Sequence, residues 1–441
     1  MKAINNRRIG MEIRQSKGLK GIITVAPDKS ISHRGVFLGA ISKGDTVIDN
    51  FLMGEDCLST INCFRKMGIT IKIEGNRVIV LGKGLRGLKV PNEMLYTGNS
   101  GTTTRLLCGL LAPQNFHSEL DGDDSIRTRP MNRVIDPLCK MGAVITSTKG
   151  GYAPITIEGT NLKAIEYLMP VASAQLKSSL ILAGLYAEGR TIITEPIPSR
   201  NHTELMINGF GGSIINYKSE TTNSNMITIN PVEELFAHEI TVPGDISSAA
   251  FFMVAALIVP NSEVVIKNVG LNLTRSGIID VLRAMGASIK IENTFDAIEP
   301  VGDIIVRSSQ LHGTEIGGDL IPRLIDELPV IAVAAAFAEG TTIIKDAEEL
   351  KVKEFNCIDA IEIELKKSGV NVISTHDGLI IKGGGHVQGA VFNTYNDHRI
   401  AMAMAVLALG AKGTSYIDNY KCINISYPNF FDTIKKLYIK Q

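Results

Sequence analysis

DKSISHRGVFLGAISKGDTVIDN, residues 28–50, is the stretch from which the fold is read. Asp28 offers a helix cap, an apolar run from Ile31 to Ile41 has helical spacing, Gly44 supplies a turn, and a β-branched strand follows from Thr46. A polar cap before an apolar run marks a helix start, and a β-branched run after a glycine turn marks a strand. The same order returns in NSGTTTRLLCGLLA (99–112), SAQLKSSLILAGLYAEGRTIITE (173–195), DISSAAFFMVAALIVPNSEVVIKN (245–268), DELPVIAVAAAFAEGTTIIKD (326–346) and NDHRIAMAMAVLALGAKGTSYIDN (396–419). The unit therefore occurs six times.

A second signature follows the first five units, a helix that ends in glycine before a strand hairpin. It reads KMGITIKIEGNRVIV, KMGAVITSTKG, GFGGSIINYKS, AMGASIKIENT and KSGVNVISTHDG, with Gly68, Gly142, Gly212, Gly286 and Gly369 spaced 74, 70, 74 and 83 residues apart. This period exceeds that of common solenoid repeats, and each unit reads as two helices and about four strands. The sixth unit stops after NFFDTIKKLYI, while the chain opens with the strand-like segment IRQSKGLKGIITV and no helix before it. The N-terminus is thus expected to complete the last unit. Three units form a domain over 25–240, and three more, with 1–24 and 241–441, form a second. The two crossings fall near Thr24 to Pro27 and Thr241 to Asp245, where Pro and Gly suit hinges.

The 441 residues, 44% hydrophobic and 20% charged, suffice for two or three domains with a sizeable core. Because 45 basic and 45 acidic side chains cancel, no net field draws the molecule to nucleic acid or an anionic membrane, so any basic site is local. Six cysteines lie scattered without C-x-x-C pairs, which fits a reducing cytoplasm. The opening MKAINNRRIG lacks the apolar centre of a signal peptide, and runs such as AAFFMVAALIV (249–259) are too short to span a bilayer. A soluble protein is expected.

Helix starts carry unpaired N–H groups and partial positive charge, so they favour anions and acidic or hydroxyl caps. Asp245 needs only that capping role. Cations there run against the dipole, yet Lys29, Arg34, Arg105, Lys177 and Arg399 all lie in or beside first turns. An anion held by N–H groups and side chains together explains them, and solvated surface charge is the competing reading. Arg127, Arg129 and Arg133 cluster around Pro130, and Arg200 precedes His202. Asp326, Glu327, Glu354 and Asp397 are the carboxylates that could carry protons, and periodicity does not choose among them. GKGLRG (82–87) matches a dinucleotide-binding glycine pattern, but Pro91 argues against the helix that must follow it. No metal-ligand spacing, Walker loop or nucleophile elbow is present, and neither metal nor cofactor is expected.

PDKSISHR, GNSGTTTR, RTRPM, SAQLKSS, SRNHTE, LIDELP, LKVKE and YNDHRIAMA, in this order between 27 and 403, closely resemble the 3-phosphoshikimate 1-carboxyvinyltransferase (EPSP synthase) family of enolpyruvyl transferases. The resemblance implies an α/β fold of two inside-out barrel domains, each of three βαβαββ-type repeats, closing over the substrates. It implies transfer of the enolpyruvyl group of phosphoenolpyruvate (PEP) to the 5-hydroxyl of shikimate 3-phosphate, on the way to chorismate and the aromatic amino acids. Small-molecule partners alone, a cytoplasmic location and a monomer go with it. By the same resemblance Lys29, Ser30, Arg34, Ser173, Ala174, Gln175, Arg200, Asp326 and Lys353 bind shikimate 3-phosphate. Lys29, Asn99, Gly101, Arg129, Gln175, Arg399 and Lys421 bind PEP, and Asp326, Glu354, Lys29 and His398 are catalytic.

Two departures stand out. SAQLK replaces the SSQ form, as in members that tolerate glyphosate, although Gly101 is kept. VKEFNCID places Cys357 where the family carries an Arg for the PEP carboxylate, a loss of about 2 to 5 kcal/mol if nothing substitutes. The competing readings are the paralogous UDP-N-acetylglucosamine enolpyruvyl transferase and a phosphometabolite-binding homologue that has lost catalysis.

Overall fold

The computed structural model describes residues 10–219, 224–351 and 356–439. The six apolar runs form six inner helices, Lys29–Ile41, Gly101–Leu111, Ala174–Gly184, Ile246–Ile258, Leu328–Phe337 and His398–Gly410. Five have the expected caps: the side chains of Asp28, Ser100, Ser173, Asp245 and Asp397 accept from first-turn amides at 2.8 to 3.4 Å. The fifth repeat differs. Its helix is entered from the short helix Ile321–Leu324, so the cap residue is Glu327 in a helical conformation, and Pro329 at the start offers no N–H to cap.

Outer helices Glu55–Lys66, Asn132–Lys140, His202–Gly209, Gly277–Ala284 and Cys357–Lys367 follow, and Phe430–Leu437 completes the set. Left-handed glycines end the first five: Gly68, Gly142, Gly286 and Gly369 as read from the sequence, and Gly211 rather than Gly212 in the third repeat. There the helix stops at Gly209 and Phe210 is its cap, so Gly211 falls where the positive φ is needed.

In the first five repeats the strand after the inner helix pairs in parallel with an edge strand and antiparallel with a hairpin. Lys43–Asp49, for example, lies between Glu239–Thr241 and Arg77–Lys83, and Thr70–Glu74 closes that sheet. Parallel neighbours require a crossover, which the inner helix provides in the second, third, fifth and sixth repeats, whereas the parallel edges of the first and fourth sheets, Glu239–Thr241 and Lys20–Thr24, come from distant parts of the chain. Five sheets have four strands and the sixth has three among the described residues. The N-terminal segment is two strands rather than one: Gly10–Arg14 completes the sixth sheet antiparallel to Thr414–Asp418, and Lys20–Thr24 is the parallel edge of the fourth. After Lys83 the chain turns and runs without a helix to strand Leu95–Tyr96, in keeping with rejection of the dinucleotide reading.

Contacts divide the chain into two units. One is Pro27–Pro243 with Ala297–Glu299; the other is the chain up to Ala26, Gly244–Asp296 and the chain from Pro300. In the second, the inner helices Ile246–Ile258, Leu328–Phe337 and His398–Gly410 pack on one another and are buried almost all round. Strands such as Thr341–Ile344 alternate exposed and buried residues, as a sheet with one covered face requires. In the first unit, Gly101–Leu111 packs on Ala174–Gly184 so closely that a Cβ at Gly109 would collide with the Ser179 carbonyl oxygen. That crossing brings two helix starts together.

Candidate active site

The first unit carries most of the expected anion ligands at helix starts. Lys29 and Ser30 open the helix Lys29–Ile41, with Lys29 Nζ in an ion pair with Asp56. Arg34, one turn on, is buried. Its Nε donates to Thr203 Oγ1 at 2.7 Å, Nη2 to Ser178 Oγ at 2.8 Å and Nη1 to the Ser30 carbonyl at 3.1 Å. Burial lowers its pKa to about 10, against the pull of Glu204, Asp28 and Glu299, so it remains a cation at neutral pH.

Two guanidinium groups converge at the start of Gly101–Leu111. A Cβ at Gly101 would lie 2.9 Å from Arg105 Nη1 and 3.3 Å from Arg129 Nη1. Arg129 Nη2 donates to Asn99 Oδ1 at 2.6 Å and to Ser125 Oγ at 2.7 Å. Arg105 Nη1 donates to Gln175 Oε1 at 2.6 Å, and Gln175 Nε2 donates to Thr102 Oγ1 at 3.1 Å. The start of Ala174–Gly184, capped by Ser173, is thereby tied to the start of Gly101–Leu111. Two cations beside a helix N-terminus oppose its dipole, an arrangement that suits an anion held by both.

Lys177 corrects the sequence reading, which grouped it with these cations. It is fully buried, with Nζ 3.0 Å from Glu195 Oε2, 2.7 Å from Glu204 Oε1 and 3.1 Å from the Ser199 carbonyl. Glu195 Oε1 accepts the Ser199 amide at 3.2 Å, so the residue before Arg200 is held from both sides. The role of Lys177 is to fix that loop.

The second unit holds a compact charged group. Arg399 Nη2 donates to Asp397 Oδ2 at 2.7 Å and Nη1 lies 3.3 Å from Asp326 Oδ1. Its Nη2 also lies 3.7 Å from Cys357 Sγ. Burial pulls the Asp397 carboxyl up, but the charge and hydrogen bonds of Arg399 outweigh it and hold the group at about 2. Asp397 therefore stays ionised and is not a proton carrier at neutral pH. Glu327 is buried and accepts the Ser247 hydroxyl, whereas Asp326 is a quarter exposed and so open to a substrate. His398 opens its helix half-buried, and Lys421 is exposed in the turn Tyr420–Ile425. Lys353 and Glu354 lie outside the described residues.

The profile of the family described as EPSP synthase (3-phosphoshikimate 1-carboxyvinyltransferase) matches residues 13–434. The chain belongs to the EPSP synthase family. It is 55% identical over 429 residues, 97% of this chain and 100% of the relative, to a 3-phosphoshikimate 1-carboxyvinyltransferase of Thermoanaerobacter sp. (strain X514). A protein of the same name from Bacillus cytotoxicus is 53% identical over 427 residues, 96% of this chain and 99% of that one. A solved EPSP synthase of Acinetobacter baumannii superposes with a TM-score of 0.88 at 41% identity, covering 97% of this chain and 98% of the other. The two-domain α/β architecture of the EPSP synthases accordingly holds for this chain.

Ser178, Thr203, Asp56 and Glu195, which hold Arg34, Lys29 and the loop before Arg200, escape a sequence reading. Each is an ordinary polar residue within an element; Ser178 and Thr203 meet Arg34 through the approach of separate repeats, while Asp56 and Glu195 meet Lys29 and Lys177 across elements of one repeat. SAQLKSS contains Ser178 beside the candidate Gln175, which is the one local hint.

Proposed function

We infer that the protein transfers the enolpyruvyl group of PEP to the 5-hydroxyl of shikimate 3-phosphate, giving 5-enolpyruvylshikimate 3-phosphate and phosphate. The observation that carries this reading is the convergence of Arg105 and Arg129 on Gly101 at a helix N-terminus. The reaction demands such a site, because both substrates are phosphate esters with carboxylates and the protein itself has no net charge. In the reaction the hydroxyl adds to C2 of PEP while C3 gains a proton. Loss of that C3 proton and of phosphate from C2 then restores the double bond.

In this reading Lys29, Asn99, Gly101, Arg129, Gln175, Arg399 and Lys421 bind PEP. Lys29, Ser30, Arg34, Ser173, Ala174, Gln175 and Arg200, with Asp326 and Lys353, bind shikimate 3-phosphate. Asp326 and Glu354 carry the two protons, Lys29 neutralises the departing phosphate, and His398 assists. The exposure of Asp326 beside Arg399 supports its part, since a base must reach the hydroxyl it deprotonates. Cys357 leaves Arg399 without the second guanidinium usual in the family. None of the six cysteines, all of them described, is in a disulfide, which suits a cytoplasmic enzyme. Closure of the sixth sheet by the chain's own N-terminal strand suits a monomer.

Phosphate release from PEP by the purified protein tests the reading. Release with shikimate 3-phosphate and none with UDP-N-acetylglucosamine is expected, and release with neither acceptor at high PEP would refute it.

A further inference from the structure

Four side chains without solvent exposure, His33, Thr60, Thr103 and Ser100, form one hydrogen-bonded line in the first unit. His33 Nδ1 is 2.7 Å from Thr60 Oγ1, Thr60 Oγ1 is 2.7 Å from Thr103 Oγ1, and Thr103 Oγ1 donates to Ser100 Oγ at 2.7 Å. Ser100 Oγ also accepts the Thr103 amide at 3.1 Å, which makes it the cap of Gly101–Leu111. The line joins three elements: the inner helix Lys29–Ile41, the outer helix Glu55–Lys66, and the start of Gly101–Leu111.

Thr60 Oγ1 also lies 3.5 Å from the Asp56 carbonyl oxygen, a long contact beside its two at 2.7 Å. Since Thr103 gives its proton to Ser100, it accepts from Thr60, which in turn accepts from His33 Nδ1–H. Nε2 of the imidazole is left as a bare acceptor, and it has no hydrogen-bond partner in the structure. Apolar side chains of similar size would fill this space without the cost of burying hydroxyls. What hydrogen bonds add is direction, because their geometry fixes one helix against another while apolar contacts allow sliding.

We propose that Thr60 is a positioning residue for PEP. Through its two short hydrogen bonds, to His33 and Thr103, it fixes the first turn of Gly101–Leu111, with Asn99 and Gly101, against the start of Lys29–Ile41, with Lys29. The proposal rests on the assignment of these two helix starts to the substrates given above. Thr60 touches no substrate itself.

Thr60→Val keeps the shape and removes the hydroxyl; Thr60→Ser keeps the hydroxyl. Steady-state kinetics on both, with Tm in parallel, should show the PEP KM of Thr60→Val raised at least threefold. The shikimate 3-phosphate KM and kcat should stay within twofold, and Thr60→Ser should restore the PEP KM. Amide exchange at Thr103 to Arg105 should be about tenfold faster in Thr60→Val. A lowered Tm with an unchanged PEP KM would overturn the proposal, since that is the mark of a merely structural hydroxyl. If the native protein released no phosphate with shikimate 3-phosphate, the reaction assignment would fail by itself, and the exchange rates would decide whether Thr60 holds the helix start.

Discussion

The Arg399 guanidinium stands 3.7 Å from the Cys357 sulfur, on a side chain that is otherwise committed to Asp397 and Asp326. A thiol there adds no charge for a substrate carboxylate. Cys357→Arg should lower the PEP KM at least tenfold, within the range set by a buried charge-paired contact. It should also lower the Tm of the free protein, because two buried cations then face each other, and PEP with shikimate 3-phosphate should recover that loss. A PEP KM unchanged by the substitution would show that Cys357 lies outside the carboxylate site.

Gly101 has room for no side chain beneath the two guanidinium groups. A methyl at 2.9 Å from Arg105 Nη1 must push that group away, so Gly101→Ala should raise the PEP KM about tenfold or more while the shikimate 3-phosphate KM changes little. Equal changes in both constants would count against a local effect.

Lys177 pairs with two buried carboxylates. Lys177→Met leaves Glu195 and Glu204 uncompensated in the interior, at a cost of about 3 to 5 kcal/mol. Urea unfolding should register this loss, and adding Glu204→Gln should return part of it. No recovery in the double variant would place the damage in packing rather than in charge.

Burial pushes the His33 imidazole down to about 3, with Asp56 opposing and Lys29 and Arg34 assisting. The unfolded chain takes up that proton near pH 6.5, so the unfolded state binds more protons between the two values. Stability from neutral His33 is therefore full above pH 6.5 and falls as pH drops toward 3, by about 1.4 kcal/mol per unit. Between pH 7 and 5 the native protein should lose about 2 kcal/mol more than His33→Asn. Parallel urea curves at the two pH values, with equal losses, would contradict a buried neutral ring.

The repeat was legible because its signals are local. A cap, an apolar run, a glycine and a β-branched strand each depend on a few neighbouring residues, and the six helices from Lys29–Ile41 to His398–Gly410 form where those signals stand. Local reading failed where the deciding contact was distant. IRQSKGLKGIITV reads as one strand, yet it divides between partners, Thr414–Asp418 and Glu263–Gly270, that lie hundreds of residues away. The cap in DELPV failed for a related reason, since the helical turn before it was not anticipated.

For the candidate site the division is the same. Residue identities, a local concentration of cations in a neutral chain and the order of the motifs were determined by the sequence alone, and these suffice to state the family and the chemistry. Which cation stays within reach of solvent and which is spent inside the protein was decided only by tertiary structure. Lys177 and Arg105 look alike as letters beside a helix start, but Lys177 lies sealed against Glu195 and Glu204 while Arg105 is half-buried beside Gly101. Burial and partner geometry set the free energy of a charge, and both come from other elements of the fold.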